Sequence, residues 1–298
     1  MCGCDMNIKI KAVFFAILAA ALYAINVPVS KILLDKVTPT MMAALLYLGA
    51  GVGLIIYAVI KKLFRIEQKS EPLTKNELPY TVAMVLLDII APIFLMLGIE
   101  KTVAANVSLL NNFEIVATTL IALIVFKEVV TKKLWVAIFL VTLASVILGF
   151  EGTGSFEFNE GSLYVIGACI AWGFENNCTR KLSSKSSTEI TVIKGLFSGL
   201  GSLVIAFAIG EGLPEATLII SAMLLGFVSY GLSIKFYIMA QQHLGAAKTS
   251  AFYSVAPFLG VVFSLMLLKE RPALQFYIGL VIMILATIVL IKDTLEDR

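Results

Sequence analysis

Apolar stretches of about 18–25 residues recur along this chain, and each is long enough to cross a hydrocarbon layer about 30 Å thick. They fall at 12–34, 39–60, 79–98, 103–126, 133–150, 161–180, 189–209, 217–240, 246–268 and 273–291, ten in all. Backbone inside lipid must satisfy its own hydrogen bonds, and segments of this length do so as α-helices. The expected fold is therefore an all-α integral membrane protein with ten transmembrane helices. With 59% hydrophobic and 14% charged residues, the chain lacks the polar surface that a soluble domain needs. The longest connection, 61–78, is charged and leaves no room for a separate soluble domain.

The stretches are also copies of one another. Residues 94–128 lie on 236–270 without a gap at a shift of 142. Phe94 meets Phe236, Ala104-Ala105 meets Ala246-Ala247, Ser108 meets Ser250, Leu123 meets Leu265, and Lys127-Glu128 meets Lys269-Glu270. Two units are expected, 1–150 and 151–298, with five spans in each. An odd number of spans per unit makes the second unit enter the membrane upside down relative to the first. Inverted repeats with a site near the midplane characterise secondary transporters.

Charge placement fixes an expected orientation. Of 23 Lys and Arg, these spans put 16 on one face and 5 on the other, and they leave Lys194 and Lys235 inside helices. The positive-inside rule then places both termini in the cytoplasm of a bacterial inner-membrane protein. The connection 151–160, with Glu151, Glu157, Glu160 and no base, suits the outer face. The first apolar run reads as a retained span, because no small-residue cleavage site follows a short core. Cys2 and Cys4 are too sparse for a metal site, and Cys169 and Cys178 share one helix, so all four read as reduced thiols. Neither cofactor nor metal is expected, and no phosphate loop, zinc-binding pair or nucleophile elbow appears. The expected partners are the lipid bilayer and a small-molecule substrate, with no nucleic acid, for a monomer or homodimer.

Tyr23-Ala24-Ile25-Asn26-Val27-Pro28-Val29-Ser30-Lys31 aligns, at a shift of 149, with Trp172-Gly173-Phe174-Glu175-Asn176-Asn177-Cys178-Thr179-Arg180. An aromatic, a polar residue and a closing base on the first helix of each half resemble EamA-type members of the drug/metabolite transporter superfamily. So does Lys-Glu closing the fourth helix of each half, followed by a fifth helix. Gly49 and Gly51 pair with Gly199 and Gly201 at a shift of 150. The resemblance spans essentially the whole chain. It implies two five-helix halves around a central cavity, peripheral fifth and tenth helices, and transport of small metabolites, most often outward. Tyr23, where Trp is commoner in the family, and the acids Glu114 and Glu175 depart from the pattern.

A charge at bilayer depth costs about 2.5–3.5 kcal/mol on insertion scales, so it marks a wet cavity or a partner. Five candidates follow: Asp88, Glu114, Glu175, Lys194 and Lys235. They serve either in proton coupling or as ion pairs, with Lys194 directed at Glu175, at the interface or at a substrate carboxylate, and Lys235 at Asp88 or Glu114. Helical spacing gathers Ser108, Asn111, Asn112, Thr118 and Thr119 on one face, with Glu114 at its border. In the second half Ser250, Tyr253, Ser254, Pro257, Gly260 and Ser264 do the same. Asn26 pairs by symmetry with Glu175, and Tyr23 with Trp172. The substrate-binding set is thus Asn26, Ser108, Asn111, Asn112, Glu114, Trp172, Glu175, Tyr253 and Ser254. Pro28, Pro92 and Pro257 mark weak points in their helices. His243, the single histidine, is expected in a turn. Gly49-x-x-x-Gly53 and Gly195-x-x-x-Gly199 suit close backbone approach. Glu128 and Glu270 are expected to anchor helix ends and to pair with bases.

The expected function is alternating-access export of an amino acid or similar polar metabolite, at a site between helices 1, 3, 4, 6, 8 and 9. A multidrug exporter for cationic or aromatic compounds, or an uptake carrier for a vitamin or precursor, are the alternatives within transport. An intramembrane enzyme would need a nucleophile and base that Ser108, Asn111 and Glu114 do not supply.

Overall fold

The computed structural model describes residues 2–64, 71–127, 131–149, 159–182, 184–244, 249 and 252–296. Ala246, Ala247, Ser250, Glu128 and the connection 151–158, on which parts of the repeat and charge arguments fall, lie outside them. The described residues form helices joined by turns, with no strand among them. In chain order these are α1 (Cys2–Ala24), α2 (Asn26–Leu33), α3 (Pro39–Leu63), α4 (Leu78–Lys101), α5 (Ala104–Leu110), α6 (Phe113–Phe126) and α7 (Lys132–Gly149). They continue with α8 (Glu160–Leu182), α9 (Ser187–Ile193), α10 (Gly199–Ala208), α11 (Ala216–Gly226), α12 (Ser233–Leu244), α13 (Ala256–Leu268) and α14 (Leu274–Glu296).

Among the described residues, seven helical segments are long and apolar enough to cross a membrane: Ile10–Leu33, Pro39–Leu63, Lys75–Lys101, Ala104–Val125, Ser187–Ala208, Ala216–Ala240 and Leu274–Asp293. The protein is therefore a multi-pass membrane protein. The remaining helices are α7, the more polar α8 with Glu175 near its centre, and α13 at 13 residues.

Local chemistry sets the helix ends. Thr38 is extended and Pro39 opens α3, where its missing N–H costs nothing. Thr74 and Glu77 form a capping box ahead of α4, with Thr74 N–H donating to Glu77 Oε2 at 2.8 Å. Lys127 and Lys269, repeat mates, both close their helices in the left-handed region at φ 55° and 52°. Glu270 then departs from the expected pairing with bases. Its two carboxylate oxygens accept the Ala104 and Ala105 N–H groups at 2.9 and 3.0 Å and so cap α5. Glu211 does the same for α3, accepting from Thr40 N–H at 3.3 Å and Met41 N–H at 2.6 Å. A carboxylate beside a helix N-terminus satisfies orphan donors and complements the dipole. Glu270→Ala should cost about 1 kcal/mol, read as a lower Tm of the detergent-solubilised protein.

The helices of the two sequence halves interleave: α1 packs on α12 and α13, α4 and α6 on α8, α3 on α10 and α11, α5 on α13, and α7 on α14. The seam along α3 depends on missing side chains. A Cβ on Gly195 would sit 2.4 Å from Gly51 N, and one on Gly226 only 1.9 Å from Leu46 O. Met41, Met42, Leu46, Leu95, Met96 and Leu110 fill the core. Outward, α7 shows Trp135 and Phe139, and α14 shows Leu274 and Val281, apolar surface that suits lipid. At one end, Lys185 bridges Glu71 at 3.1 Å and Glu77 at 3.9 Å. The hydrogen bond to Glu71 holds the Lys185 ammonium above its ordinary pKa.

Candidate functional site

Five interruptions of helical geometry meet in the interior. α1 gives way to α2 at Ile25, where Pro28 has no N–H to return to the Ala24 carbonyl. α5 gives way to α6 at a turn formed by Asn111 and Asn112. Lys194–Ser198 and Phe227–Leu232 are π turns, wider turns that often lie at functional sites. Ser254 and Val255 form a turn ahead of α13, whose second residue is Pro257. Broken helices place backbone polar groups beside a buried site, a recurring construction in carriers.

Side chains link these interruptions. From the first π turn, Lys194 Nζ lies 3.2 Å from Asp88 Oδ2 and 3.0 Å from Glu175 Oε1. Asp88 is fully buried, Glu175 is 1% exposed and Lys194 7%. The Tyr47 hydroxyl donates to Asp88 Oδ1 at 2.9 Å, and the Thr179 hydroxyl donates to the Glu175 carboxylate. Glu114, on the first turn of α6, accepts from Asn176 Nδ2 at 2.6 Å. The same amide reaches Thr118 Oγ1 at 3.2 Å. α8 thus presents Glu175 to the ion cluster and the adjacent Asn176 to the second acid. Three carboxylates and one ammonium gather in this region.

Tyrosines cover the cluster. The Tyr47 ring lies 5.1 Å from that of Tyr230, on the second π turn. Tyr230 lies 5.8 Å from Tyr23, edge to face, and its hydroxyl accepts from Asn26 Nδ2 at 3.2 Å. Tyr253 is 6.1 Å from Tyr23 and 5.0 Å from Tyr237. Aromatic faces in such numbers are suited to a cation or to another ring.

The expected residues divide. Asn26, Tyr253, Glu114 and Glu175 belong to this connected region. Ser108 and Asn111 line a crevice with Tyr23, Ala24 and Gly260. Asn112 does not join them: the break turns it toward Leu134, Ile138 and Ala286 of the α7–α14 side, and its amide donates to Leu109 O at 3.2 Å. Continuous helical spacing had put both asparagines on one face, and the interruption separates them. Thr119 likewise serves its own helix, donating to Ile115 O. Trp172 packs in the apolar core at 6% exposure, and Ser254 is buried in the turn before α13. Lys235 sits over the Tyr57 ring, 3.1 Å from its centroid, rather than compensating Asp88, whose partner is Lys194. His243 is exposed near the end of α12.

Sequence reasoning missed Tyr47, Tyr230 and Asn176 as site residues. Tyr47 and Lys194 also bring helices two and seven into a site expected from the other six. Asn176 had a signal, since its neighbour Glu175 was singled out and an amide beside an acid has few other partners in lipid. Tyr230 offered no signal apart from its place among Gly226, Ser229 and Gly231, small residues that admit close packing.

A model of the EamA-like transporter family matches residues 10–150 and again 159–292. A protein of Methanothermobacter thermautotrophicus named "Uncharacterized transporter" is 24% identical over 311 aligned positions, spanning 97% of this chain and 90% of its own length. A solved crystal structure with 15% sequence identity superimposes with a TM-score of 0.67, covering 96% of this chain and 98% of its own. That likeness speaks for the fold alone. Helices of membrane-spanning length, a buried polar centre and a family match across both halves converge, and the chain belongs to the EamA-like transporter family.

Proposed function

We propose that the protein is a secondary transporter that moves a small polar metabolite carrying an amino group, an amino acid or a related compound, by alternating access. The observation that carries this reading is the Lys194 ammonium shared by Asp88 and Glu175, with a third carboxylate, Glu114, held against the same helix α8 by Asn176. Three carboxylates gathered near one ammonium favour a positively charged guest or a proton. The proposed contacts are Asn26, Asn111, Glu114, Glu175 and Tyr253. The five tyrosines favour a second reading, a carrier for larger cationic or aromatic compounds. Family membership points to transport rather than to enzymatic chemistry.

The proposed architecture is ten spans in two inverted five-helix repeats, 1–150 and 151–298. Packing supports it. Counting α7, α8 and α13 as spans, the α1–α12 contact joins spans 1 and 8, and α4–α8 joins spans 3 and 6. Exchanging the halves converts one into the other. The α6–α8 and α1–α13 contacts are related in the same way, whereas α7–α14 maps onto itself. The Lys and Arg bias supports both termini in the cytoplasm, and outward movement is the proposed direction.

Counterflow in proteoliposomes tests the reading. Vesicles loaded with a mixed amino-acid pool should accumulate a trace labelled amino acid, and omission of the pool should abolish the uptake. Absence of accumulation for every labelled amino acid, with folded protein in the vesicles, would sink the amino-acid reading and turn the search to cationic compounds.

A further inference from the structure

The crevice between α1, α5 and α13 contains polar groups that the protein itself leaves unmet. Among the described residues, Ser108 Oγ and Asn111 Oδ1 have no hydrogen-bond partner, although their residues are only 1% and 7% exposed. Both residues line the crevice, together with Tyr23, Ala24, Val27 and Gly260. Buried polar atoms are almost always satisfied, so two unmet ones lining one crevice call for a ligand. A third oxygen joins them. The Ala24 carbonyl lacks the partner that residue 28 would supply, because that residue is proline. Gly260 keeps the space between these groups open. A Cβ there would lie 3.0 Å from Ser108 Oγ and 3.5 Å from the Ala24 carbonyl oxygen.

A backbone carbonyl, a hydroxyl and an amide oxygen form a neutral set of hard oxygen donors. Such a set suits a singly charged cation better than a divalent one, which draws on carboxylates. Broken-helix carbonyls serve the same end in other carriers. We infer that this crevice is a binding site for a small monovalent cation, held by the Ala24 carbonyl, Ser108 Oγ and Asn111 Oδ1. The cation is either the primary ammonium of the carried solute or a free alkali ion such as Na⁺. The first source rests on the transport reading above, and the second stands without it. With a free alkali ion in this set, Glu114 and the ion cluster remain available to the carried solute.

The test is the Tm of the purified full-length protein titrated with sodium chloride, and separately with methylammonium chloride, choline chloride keeping ionic strength constant. A saturable rise with Na⁺ identifies an ion site. A rise with methylammonium and none with Na⁺ identifies an ammonium subsite. In either case Ser108→Ala should raise the half-saturating concentration about tenfold, the loss expected for one good contact. Gly260→Ala, which fills the space, should weaken the response as well. The Tm of each variant without cation reports its folding separately. A flat response of the wild type to both salts would overturn the proposal, as would a rise that folded Ser108→Ala and Gly260→Ala leave unchanged. Counterflow separates this site from the transport reading. A flat titration with positive counterflow removes the site and keeps the carrier. A cation-dependent Tm without counterflow keeps the site and removes the amino-acid reading.

Discussion

Lys194→Met should destabilise the protein by about 3–5 kcal/mol, the usual result of removing one partner from a buried ion cluster. Asp88 and Glu175, at 0% and 1% exposure, would then face each other with no counter-charge. The Tyr47 and Thr179 hydroxyls donate one hydrogen bond each and cannot replace an ammonium. Size-exclusion profiles and Tm in detergent should show little folded material. The companion variant separates stability from function. With Lys194→Met, Asp88→Asn and Glu175→Gln combined, no charge of the ion cluster is left unpaired, and apolar or neutral replacement of buried ion clusters is often tolerated. The triple variant should recover folded protein and remain inactive in counterflow. Recovery of both folding and transport would make the cluster purely structural.

The second large effect belongs to Glu114. A glutamine there keeps an oxygen for the Asn176 amide, so the 2.6 Å hydrogen bond has a neutral substitute and the α6–α8 seam is preserved. Glu114→Gln should therefore leave the amount of folded protein unchanged. The half-saturating concentration for the carried solute should rise about 30-fold or more, corresponding to the loss of about 2 kcal/mol from a buried charge contact. Asn176→Ala should act in the same direction by freeing the carboxylate to reorient. Loss of folded protein in Glu114→Gln would assign the residue to the helix seam instead.

Much of this arrangement was legible in the residues. The apolar stretches announced the helices because lipid leaves the backbone no alternative. Asp88, Glu175 and Lys194 stood out because a charge in an apolar run has to be paired or used. The pairing of Lys194 with Glu175 was among the readings open to the sequence, whereas Asp88 as its second partner was not legible. Lys194 and Lys235 are both lone bases in apolar segments, and only the packing of the Lys194–Ser198 π turn against α3 and α4 separates the ion cluster from a lysine resting on Tyr57. The separation of Asn111 from Asn112 was hidden for a different reason. Helical periodicity assumes an unbroken helix, and no proline or glycine falls at 111–112 to announce the break. At Ile25 the break could be foreseen from Pro28. The π turns at Lys194 and Phe227 left no compositional mark beyond flanking glycines, because an inserted residue changes geometry without changing hydropathy. Glu270 was expected to pair with bases, yet it reaches across to a helix start remote in sequence, as does Glu211, which the sequence did not single out.

Under the proposed alternating access, the layer of broken helices is a site exposed to each side of the membrane in turn. Ser108→Cys, in a protein whose four native cysteines are replaced by serine, tests this directly. Impermeant maleimide would be applied from outside to right-side-out vesicles and to inverted ones. The account predicts labelling in both preparations, slow in each and suppressed by the carried solute once counterflow has identified it. Labelling from one side alone, or from neither while the protein remains folded and active in counterflow, would contradict it.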